Sequence, residues 1–482
     1  MPITDRFGLL LTTQSAQSAE SYNLAVDLLL SANTGAETLF DAALAADPEF
    51  ALAHIARARL CQMQARIPEA KEAAGKARRL RDHASTREQG TIDVIALTID
   101  GAGPQAMARL EAHIAEYPRD ALALSPALGV FGLLGFSGRI DHHEAQLALL
   151  QRLAPPQWDE DWWFLTYLGW ARIETGDVAA GAREVERALA LNPHNAYAAH
   201  ARAHGYFEAG DAEAGAAFID AWLPGYDRKS QLHCHLSWHL ALFELARGQP
   251  ERAHALYEDA IRPAVSHAPP LFNLADAASF LWRWQIYGET PPLDESWAEV
   301  MAHAKHYFPR AGIPFADVHA AFAEVVSGTE AGVAERITQL GELHESGRLP
   351  QGAVIPTLCA GAAAFAREDY EAAADKLGAA LPELAAAMRN ARSLRIPILP
   401  PACAPGGMTR PPSASQRGSS ADLRRVTTRG LRWRRRASEE PPAKTERTAG
   451  PSWPSSGSPS DGSPFSGLRS DGSPVCERRS DG

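Results

Sequence analysis

Residues 162–193 carry small residues at the positions where two packed helices would cross. Gly169 and Gly181 lie in the two halves of this segment, and without a Cβ they allow the two backbones to approach closely. Gly176 separates the halves as a turn. Pro193 ends the second half, because proline has no N–H for a helical hydrogen bond. The segment therefore predicts a helix-turn-helix hairpin.

A second copy of this pattern begins about 34 residues later at Ala196, and a third begins near Cys234 after a longer connection. That period is typical of tetratricopeptide repeats. Weaker helical periodicity occupies residues 42–80, 85–118, 119–155 and 353–384, with little sign of strands. We therefore predict an all-α fold, a right-handed superhelical solenoid of tetratricopeptide-like helix-turn-helix repeats.

Charge divides the chain into two unlike parts. Residues 385–482 contain 17 Lys or Arg against 8 Asp or Glu, a net charge of +9, whereas residues 1–384 carry a net −20. The basic part is rich in Pro, Ser, Gly and Arg, a composition that cannot build a core. We therefore predict a solenoid domain over residues 1–384 and a low-complexity disordered tail over 385–482. We interpret the RWRRR stretch at 432–436 as incidental, so no nucleic-acid partner is predicted.

The cysteines and the N-terminal residues indicate in which cellular compartment the protein is expected. Five cysteines, an odd number without CxxC spacing, do not predict a disulfide framework and favour a reducing environment. The only early apolar run, Leu9 to Leu11, is too short for a signal peptide or a membrane span. We expect a cytoplasmic protein without a membrane partner, and its oligomeric state is left open.

The concave groove of such a solenoid is lined mainly by the first helix of each repeat, near its positions 2, 5, 9 and 12, which is a property of the fold. Applied to the three best repeats and extended to His239, Asp276 and His319, this register predicts a groove rich in aromatic rings and imidazoles. The predicted groove residues are Trp163, Thr166, Trp170, Tyr197, His200, His204, Phe207, His235, Trp238, His239, Asp276 and His319.

Two histidine pairs, His200/His204 and His235/His239, are each spaced i to i+4, so both rings of a pair project from one helix face. Three interpretations stay open: structural histidines, a pocket for an organic ligand or peptide, and a transition-metal site. For the last, Cys234, Asp276, Asp317 and His319 are further candidate ligands. Because HExxH and CxxC contexts are missing, no metal or other cofactor is predicted, and the four histidines are only weak metal candidates.

Other apparent motifs predict no chemistry. Gly129, Gly132 and Gly135 form a GxxGxxG pattern without a preceding strand, and we interpret them as small residues for close helix packing. The DHHE sequence at 141–144 is interpreted as a solvated helix start. Neither GxSxG nor GxxxxGK[ST] occurs. No catalytic residue is therefore predicted.

The chain resembles the tetratricopeptide repeat protein 38 family over about residues 5–380. The stretches that carry the resemblance are DRFGLLLTTQS, STREQG, HARAHGYFE, HLSWHLALFE, DAASFLWRW and FADVHAAFA. In that family a further helical portion follows, with a stretch like Gly-Gly-Ser-His-Ala-Gln-Arg, which this chain lacks. Residues 384–391 have the sequence LAAAMRNA. The genetic code permits codons for these residues that, when read one base earlier, encode the missing stretch. We infer a shift of the reading frame shortly before Leu384, which resequencing of the gene tests.

Two functions follow from these observations. The first is a non-catalytic scaffold that binds a protein or peptide partner in the concave groove, the commonest use of such repeats. The second is a small-ligand-binding or metal-dependent enzyme with its site among the paired histidines. An open trough favours the first, and an enclosed pocket where the rings converge, with shifted pKa values, favours the second.

Overall fold

The computed structural model describes residues 2–154, 158, 160–287, 294–328 and 330–387. Within these ranges the backbone is helical apart from turns, loops and one isolated β-bridge between Thr4 and Leu10. The predicted tail lies outside the described residues except for its first three positions. The same holds for the RWRRR stretch and for the second half, residues 388–391, of the segment on which the frame shift rests.

Consecutive helices pack as hairpins, and each hairpin packs on the next. The α-helices are α1 Ala16–Leu30, α2 Ala36–Ala46, α3 Ala51–Met63, α4 Ile67–Leu80, α5 Thr86–Ile99, α6 Gly103–Glu116, α7 Ala121–Leu124, α8 His142–Leu153, α9 Trp162–Glu174, α10 Val178–Leu191, α11 Ala196–Ala209, α12 Ala212–Trp222, α13 His233–Ala246, α14 Pro250–Leu256, α15 Pro270–Tyr287, α16 Asp294–Tyr307, α17 Pro314–Val326, α18 Glu330–Glu345, α19 Val354–Ala366 and α20 Tyr370–Ala387. A π-helical turn, Tyr257–Ile261, continues α14. The predicted all-α array of helix-turn-helix repeats is confirmed.

The hairpin of α9 and α10 shows how sequence produces the close helix crossing. A Cβ on Gly181 would lie 2.4 Å from the carbonyl oxygen of Gly169, so neither position has room for a side chain. Between the helices, Gly176 adopts a left-handed φ of 96°, and the Asp177 side chain caps the first turn of α10. The predicted roles of the three glycines are confirmed.

The N-terminal hairpin contacts the later repeats directly. The carbonyl of Ser31, after α1, accepts a hydrogen bond of 3.1 Å from the amide of Ala196 at the start of α11. Ala32 likewise accepts one of 2.5 Å from the hydroxyl of Tyr226. Residues that are far apart in sequence therefore meet near the start of α11.

A glycine-rich segment, residues 128–138, joins α7 to α8, where the sequence predicts helix over 119–155. That prediction is wrong for the middle of the range: these residues form turns and a short 3₁₀ helix, Gly135–Ser137. Gly129 has a left-handed φ of 84°, and its amide donates to the Gln146 side chain over 2.8 Å. The predicted helix-packing role of the glycines is likewise wrong, because they make tight loop turns instead.

Phe131 packs this glycine-rich segment against helices of later repeats. Its ring lies 4.5 Å from that of Phe272 on α15 and 5.4 Å from that of Phe315 on α17, measured between centroids. The segment therefore packs against first helices of the later hairpins, on the side where the sequence places the groove. None of the helices described is long and apolar enough for a membrane span.

Candidate functional site: a four-histidine centre

Four imidazoles from two helices meet in the interior. His200 and His204 on α11, with His235 and His239 on α13, place one ring nitrogen each within 4.8 Å of all the others. Each pair shares a helix face because of its i, i+4 spacing. The two faces meet because α11 and α13 are the first helices of successive hairpins and pack together. We call these four residues the histidine centre.

The carboxylate of Glu174 fixes the first ring. His204 Nδ1 lies 2.6 Å from Glu174 Oε1, and the carboxylate comes from α9, one hairpin earlier. Glu174 is 1% exposed. Although burial alone would raise the pKa of Glu174, the adjacent histidines lower it below its usual value, so the group is ionised and accepts the proton of Nδ1–H. The Nε2 lone pair of His204 is thereby directed to the remaining imidazoles.

Asp276 on α15 fixes a second ring in the same way. His235 Nδ1 lies 2.8 Å from Asp276 Oδ1, and the other carboxylate oxygen lies 3.6 Å from the sulfur of Cys234. Burial raises the pKa of Cys234 well above its usual value, so the thiol keeps its proton and donates to Asp276. Cys234 thus holds the carboxylate, and Asp276 orients His235.

The other two imidazoles have no carboxylate partner in the described residues. His200 Nε2 lies 3.0 Å from His235 Nε2, and both ring nitrogens of His239 are buried without a hydrogen-bond partner. Burial and the neighbouring histidines hold the pKa values of His200 and His239 well below 6.5. At neutral pH both rings are therefore uncharged and offer a lone pair.

Aromatic side chains surround the centre unevenly. Trp238 stacks on His235 at 5.3 Å, and Phe272 approaches the same ring edge-on at 6.0 Å. His204 and His239 are buried, whereas His200 and His235 keep part of their surface accessible. Two of the four rings are therefore fully buried, and the other two are only partly so.

The remaining predicted groove residues occupy several environments. Trp163, Thr166 and Trp170 are buried in the packing around α9, and the Thr166 hydroxyl accepts a hydrogen bond from Asn195, the cap of α11. Tyr197 and Phe207 on α11 are half-buried. Of the twelve predicted residues, the structure brings the four histidines together with Asp276 and Trp238 beside them.

Two of the additional candidate ligands make hydrogen bonds to other groups. Asp317 binds Arg336 at 2.6 Å, and His319 Nδ1 lies 2.7 Å from the carbonyl oxygen of Phe315. Burial lowers the pKa of His319 to about 4. The structure therefore does not bring these four candidates to the histidines as a set of metal ligands. Cys234 and Asp276 instead orient the ring of His235.

Two residues at the site were missed by the sequence reasoning. Glu174 sits in the best-formed repeat, but nothing in its spacing singles it out. His143, expected at a solvated helix start, is instead 4% exposed and lies 3.9 Å from the second oxygen of Glu174. Burial lowers the pKa of His143 to about 4. No pattern in the sequence pairs Glu174 with His204 or His143. The pairing becomes apparent only from the packing of α8, α9 and α11.

Comparison with known proteins adds little to this geometry. No protein-family model matches the chain. Among solved structures, a crystal structure of the P58(IPK) TPR domain aligns over 88% of this chain and 90% of its own, with 13% sequence identity and a TM-score of 0.21. A TM-score this low does not superpose the two structures, so no conclusion below rests on it.

Proposed function

We propose that this chain is a metal-binding helical-repeat protein in which the histidine centre coordinates one divalent transition metal. The observation that carries the proposal is the convergence of four imidazole nitrogens within 4.8 Å. Two of these rings are oriented through Nδ1 by buried carboxylates, the arrangement that fixes metal-binding histidines in known sites.

The dimensions are close to those of a metal site. Zinc–nitrogen bonds of about 2.0–2.1 Å in a tetrahedron separate the nitrogens by about 3.3–3.4 Å. The nearest pair in the centre is 3.0 Å apart, and the full set spans 4.8 Å. Side-chain rotations that draw the rings together by roughly 1–1.5 Å would complete the coordination.

The donor set indicates which metals fit. Neutral imidazoles without thiolates suit zinc, copper, iron or nickel. Glu174 and Asp276 would balance a charge of +2 without binding the ion themselves. Because His200 and His235 keep accessible surface, an exogenous ligand or water could reach a further coordination position. A metal-dependent enzyme, which the lowered pKa values of His200 and His239 favour, is one form of this proposal.

Metal analysis tests the proposal on protein that carries no histidine tag. After removal of bound metal with a chelator, calorimetric titration with zinc, iron(II), copper(II) and manganese(II) should show one site per chain for at least one ion. His239→Ala should weaken that binding at least tenfold. His254→Ala, which changes a partly exposed histidine on α14, should not.

Folding of both variants is checked by circular dichroism. The metal assignment fails if no ion binds the wild-type protein, or if His239→Ala binds as tightly as the wild type. Unchanged affinity in His239→Ala would place the metal at another group of ligands.

A peptide-binding scaffold is the second candidate. The succession of helix-turn-helix repeats supports it, since such arrays commonly hold extended peptides. Several predicted groove residues are buried, however, and the glycine-rich segment packs against α15 and α17, which leaves less support for a trough beside the histidines. A partner recovered with the chain whose binding survives loss of the histidines would favour the scaffold.

Membership of the tetratricopeptide repeat protein 38 family and a cytoplasmic location remain proposals of the same kind. The sequence stretches HARAHGYFE and HLSWHLALFE, which carry the resemblance, contain all four histidines of the centre. Cys61, Cys234 and Cys359 are buried and form no disulfide bond, which suits a reducing compartment.

A further inference from the structure

The glycine-rich segment, residues 128–138, contacts several hairpins that follow it in the chain. A Cβ placed on Gly129 would lie 3.7 Å from Cε1 of Tyr167 on α9. At the other end of the segment, a Cβ placed on Gly138 would lie 2.6 Å from Cβ of Pro350, shortly before α19. The two ends of the segment therefore lie against an early and a late part of the repeat array.

The middle of the segment meets helices between these two ends. The ring of Phe131 lies 4.5 Å from that of Phe272 on α15 and 5.4 Å from that of Phe315 on α17. In the order of the array, α11 and α13 come between α9 and α15. The glycine-rich segment thus bridges helices on either side of the two that carry the histidine centre.

A series of ring contacts joins Phe131 to the histidine centre. Phe272, which packs on Phe131, also approaches the ring of His235 edge-on at 6.0 Å. His235 and His200 are the two imidazoles of the centre that keep accessible surface, and both phenylalanines are likewise only partly buried. Phe272 therefore borders a partly exposed imidazole, and Phe131 packs on this bordering ring.

The way the segment is attached allows it to move. Its hydrogen bonds run within it or to flanking residues: Leu133 donates to the carbonyl of Pro126 over 2.8 Å, and Gly129 donates to Gln146 over 2.8 Å. No hydrogen bond joins residues 130–137 to α15 or α17 within the part of the chain that the structure describes, and aromatic pairs are individually weak. The segment can therefore leave α15 and α17 and keep its own hydrogen bonds.

Glycines stand at both ends of the moving part. Gly129 and Gly138 have left-handed φ values of 84° and 77°, a conformation that glycine adopts without steric cost. Such residues absorb a change in backbone direction more readily than residues with a side chain. The two glycines are therefore suited to act as hinges for the residues between them.

We propose that the glycine-rich segment is a gate to the histidine centre: Phe131 leaves its contacts with α15 and α17, and a small ligand then reaches His235. Loops that close over a site shield it from water and open on a timescale of microseconds to milliseconds. Because Phe131 itself packs against α15 and α17, the opening suits a small molecule rather than an extended peptide. As a gate for metal ligands this inference rests on the proposed function, but access to the imidazoles can be measured without metal.

Diethyl pyrocarbonate, a small reagent that modifies uncharged imidazole, measures access to each histidine on full-length, metal-free protein. Peptide mass spectrometry gives the rate at each site. A covered ring reacts only when the cover opens, so Phe131→Ala should raise the rate at His235 by about fivefold or more. Two histidines should react at unchanged rates: the exposed His83, and His113, which is 2% exposed and bound to Asp120.

Phe136→Ala is the matched control, because Phe136 belongs to the same segment and is 37% exposed. It should leave the rate at His235 within twofold of the wild type. Phe131→Leu keeps an apolar side chain without the ring and should give a smaller increase than Phe131→Ala. Circular dichroism checks the folding of each variant, and Phe131→Leu takes the place of Phe131→Ala if the latter does not fold.

The gate is overturned if loss of the Phe131 ring leaves the rate at His235 unchanged. It is also overturned if the rate at His113 rises in the same proportion, because the whole array would then have loosened. An equal increase in Phe136→Ala would contradict the role of Phe131, since the described ring contact of Phe136 is with Phe131 and not with α15 or α17.

The kinetics of zinc exchange separate this inference from the metal proposal. If zinc binds, Phe131→Ala should speed loading and release by the same factor and leave the affinity within twofold, because a gate affects both directions of exchange. A weaker affinity with unchanged loading would make Phe131 part of the site and overturn the gate. If zinc does not bind the wild-type protein, the metal proposal fails, and the reactivity of His235 still decides the gate.

Discussion

Two buried polar clusters in this chain differ in whether they contain both positive and negative groups that pair with each other. The first, which we call the arginine cluster, consists of Asp5, Arg87, His113 and Asp120. Arg87 donates to Asp5 at 2.8 Å and to Asp120 at 2.6 Å, and His113 Nε2 lies 3.0 Å from Asp120. The second is the histidine centre, where four ring nitrogens meet without an acid among them.

The difference teaches how to separate a structural cluster from a binding site. In the arginine cluster the charge of Arg87 is paired with two carboxylates. Although burial raises the pKa of Asp120, the charge of Arg87 and the hydrogen bonds from His113 and Thr91 together hold it well below its usual value. In the histidine centre the carboxylates lie behind His204 and His235 only, and both ring nitrogens of His239 are buried without a hydrogen-bond partner. A cluster whose charges are paired stabilises the fold, whereas converging uncharged imidazoles can bind a metal ion.

The largest expected effect is the loss of stability when the arginine cluster is broken. Asp120→Ala leaves the buried charge of Arg87 with Asp5 alone, and we expect a loss of about 3–5 kcal/mol in the free energy of unfolding. Urea unfolding measures it. Asp141→Ala, which removes an exposed partner of Arg139, is the control and should cost less than about 1 kcal/mol. Equal losses in the two variants would remove the structural role assigned to the arginine cluster.

The next effect concerns the carboxylate behind His204. Glu174→Gln keeps the shape but loses the charge that orients the ring, so metal affinity should fall by about 10- to 100-fold. Competition titration with a chromogenic chelator measures this change. Glu184→Gln, which alters a partner of Arg172 in the same hairpin, should leave the affinity unchanged. A metal affinity insensitive to Glu174→Gln would show that the carboxylate does not support a ligand.

A smaller effect is a pH dependence that separates the two clusters. Burial lowers the folded-state pKa values of His200 and His239, so below about pH 6.5 the unfolded chain binds protons that the folded chain does not. Stability is therefore lost as pH falls, by about 1.4 kcal/mol per pH unit for each such histidine. Asp120, whose pKa is lowered, contributes stability that is lost only below about pH 3.9.

The measurement compares metal-free wild-type protein with His239→Leu between pH 5 and 6. The slope of unfolding free energy against pH should be shallower in the variant by about 1.4 kcal/mol per pH unit. Buried histidines outside the histidine centre contribute equally in both proteins, so their effect cancels in this difference. Parallel slopes would mean that His239 takes up a proton in the folded chain, contrary to the neutral ring inferred above.

The smallest effect is expected at the histidine of the arginine cluster. His113→Gln should leave metal stoichiometry and affinity within twofold of the wild type, because His113 is engaged by Asp120 and faces no other imidazole in the described residues. Metal titration of the variant is sufficient. A marked loss of metal affinity would show that the two clusters are coupled, which their separate hydrogen-bond partners do not predict.

The repeat architecture was predictable because it rests on local rules. The spacing of Gly169, Gly176 and Gly181 defined the hairpin of α9 and α10, and recurrence at Ala196 and near Cys234 placed the next two. Residues 128–138 were mispredicted as helix, since their apolar residues suit helix packing as well as a buried loop. Only the contacts of Phe131 with distant helices distinguish the two.

The candidate site was predictable in part. The i, i+4 spacing put each histidine pair on one face, but convergence of the pairs depends on how α11 and α13 pack, which no local pattern specifies. His239, one position off the expected register, turned out to face the other three rings. Glu174 lies in the preceding hairpin, so its contact with His204 follows from tertiary packing alone.

X-ray absorption spectroscopy of zinc-loaded protein without a tag tests most directly whether the four histidines share one metal ion. The account predicts a first shell of about four nitrogens at about 2.0–2.1 Å, with the outer-shell scattering of imidazole rings, and loss of that pattern in His239→Ala. A first shell containing sulfur at about 2.3 Å, or only oxygen without imidazole scattering, would contradict it.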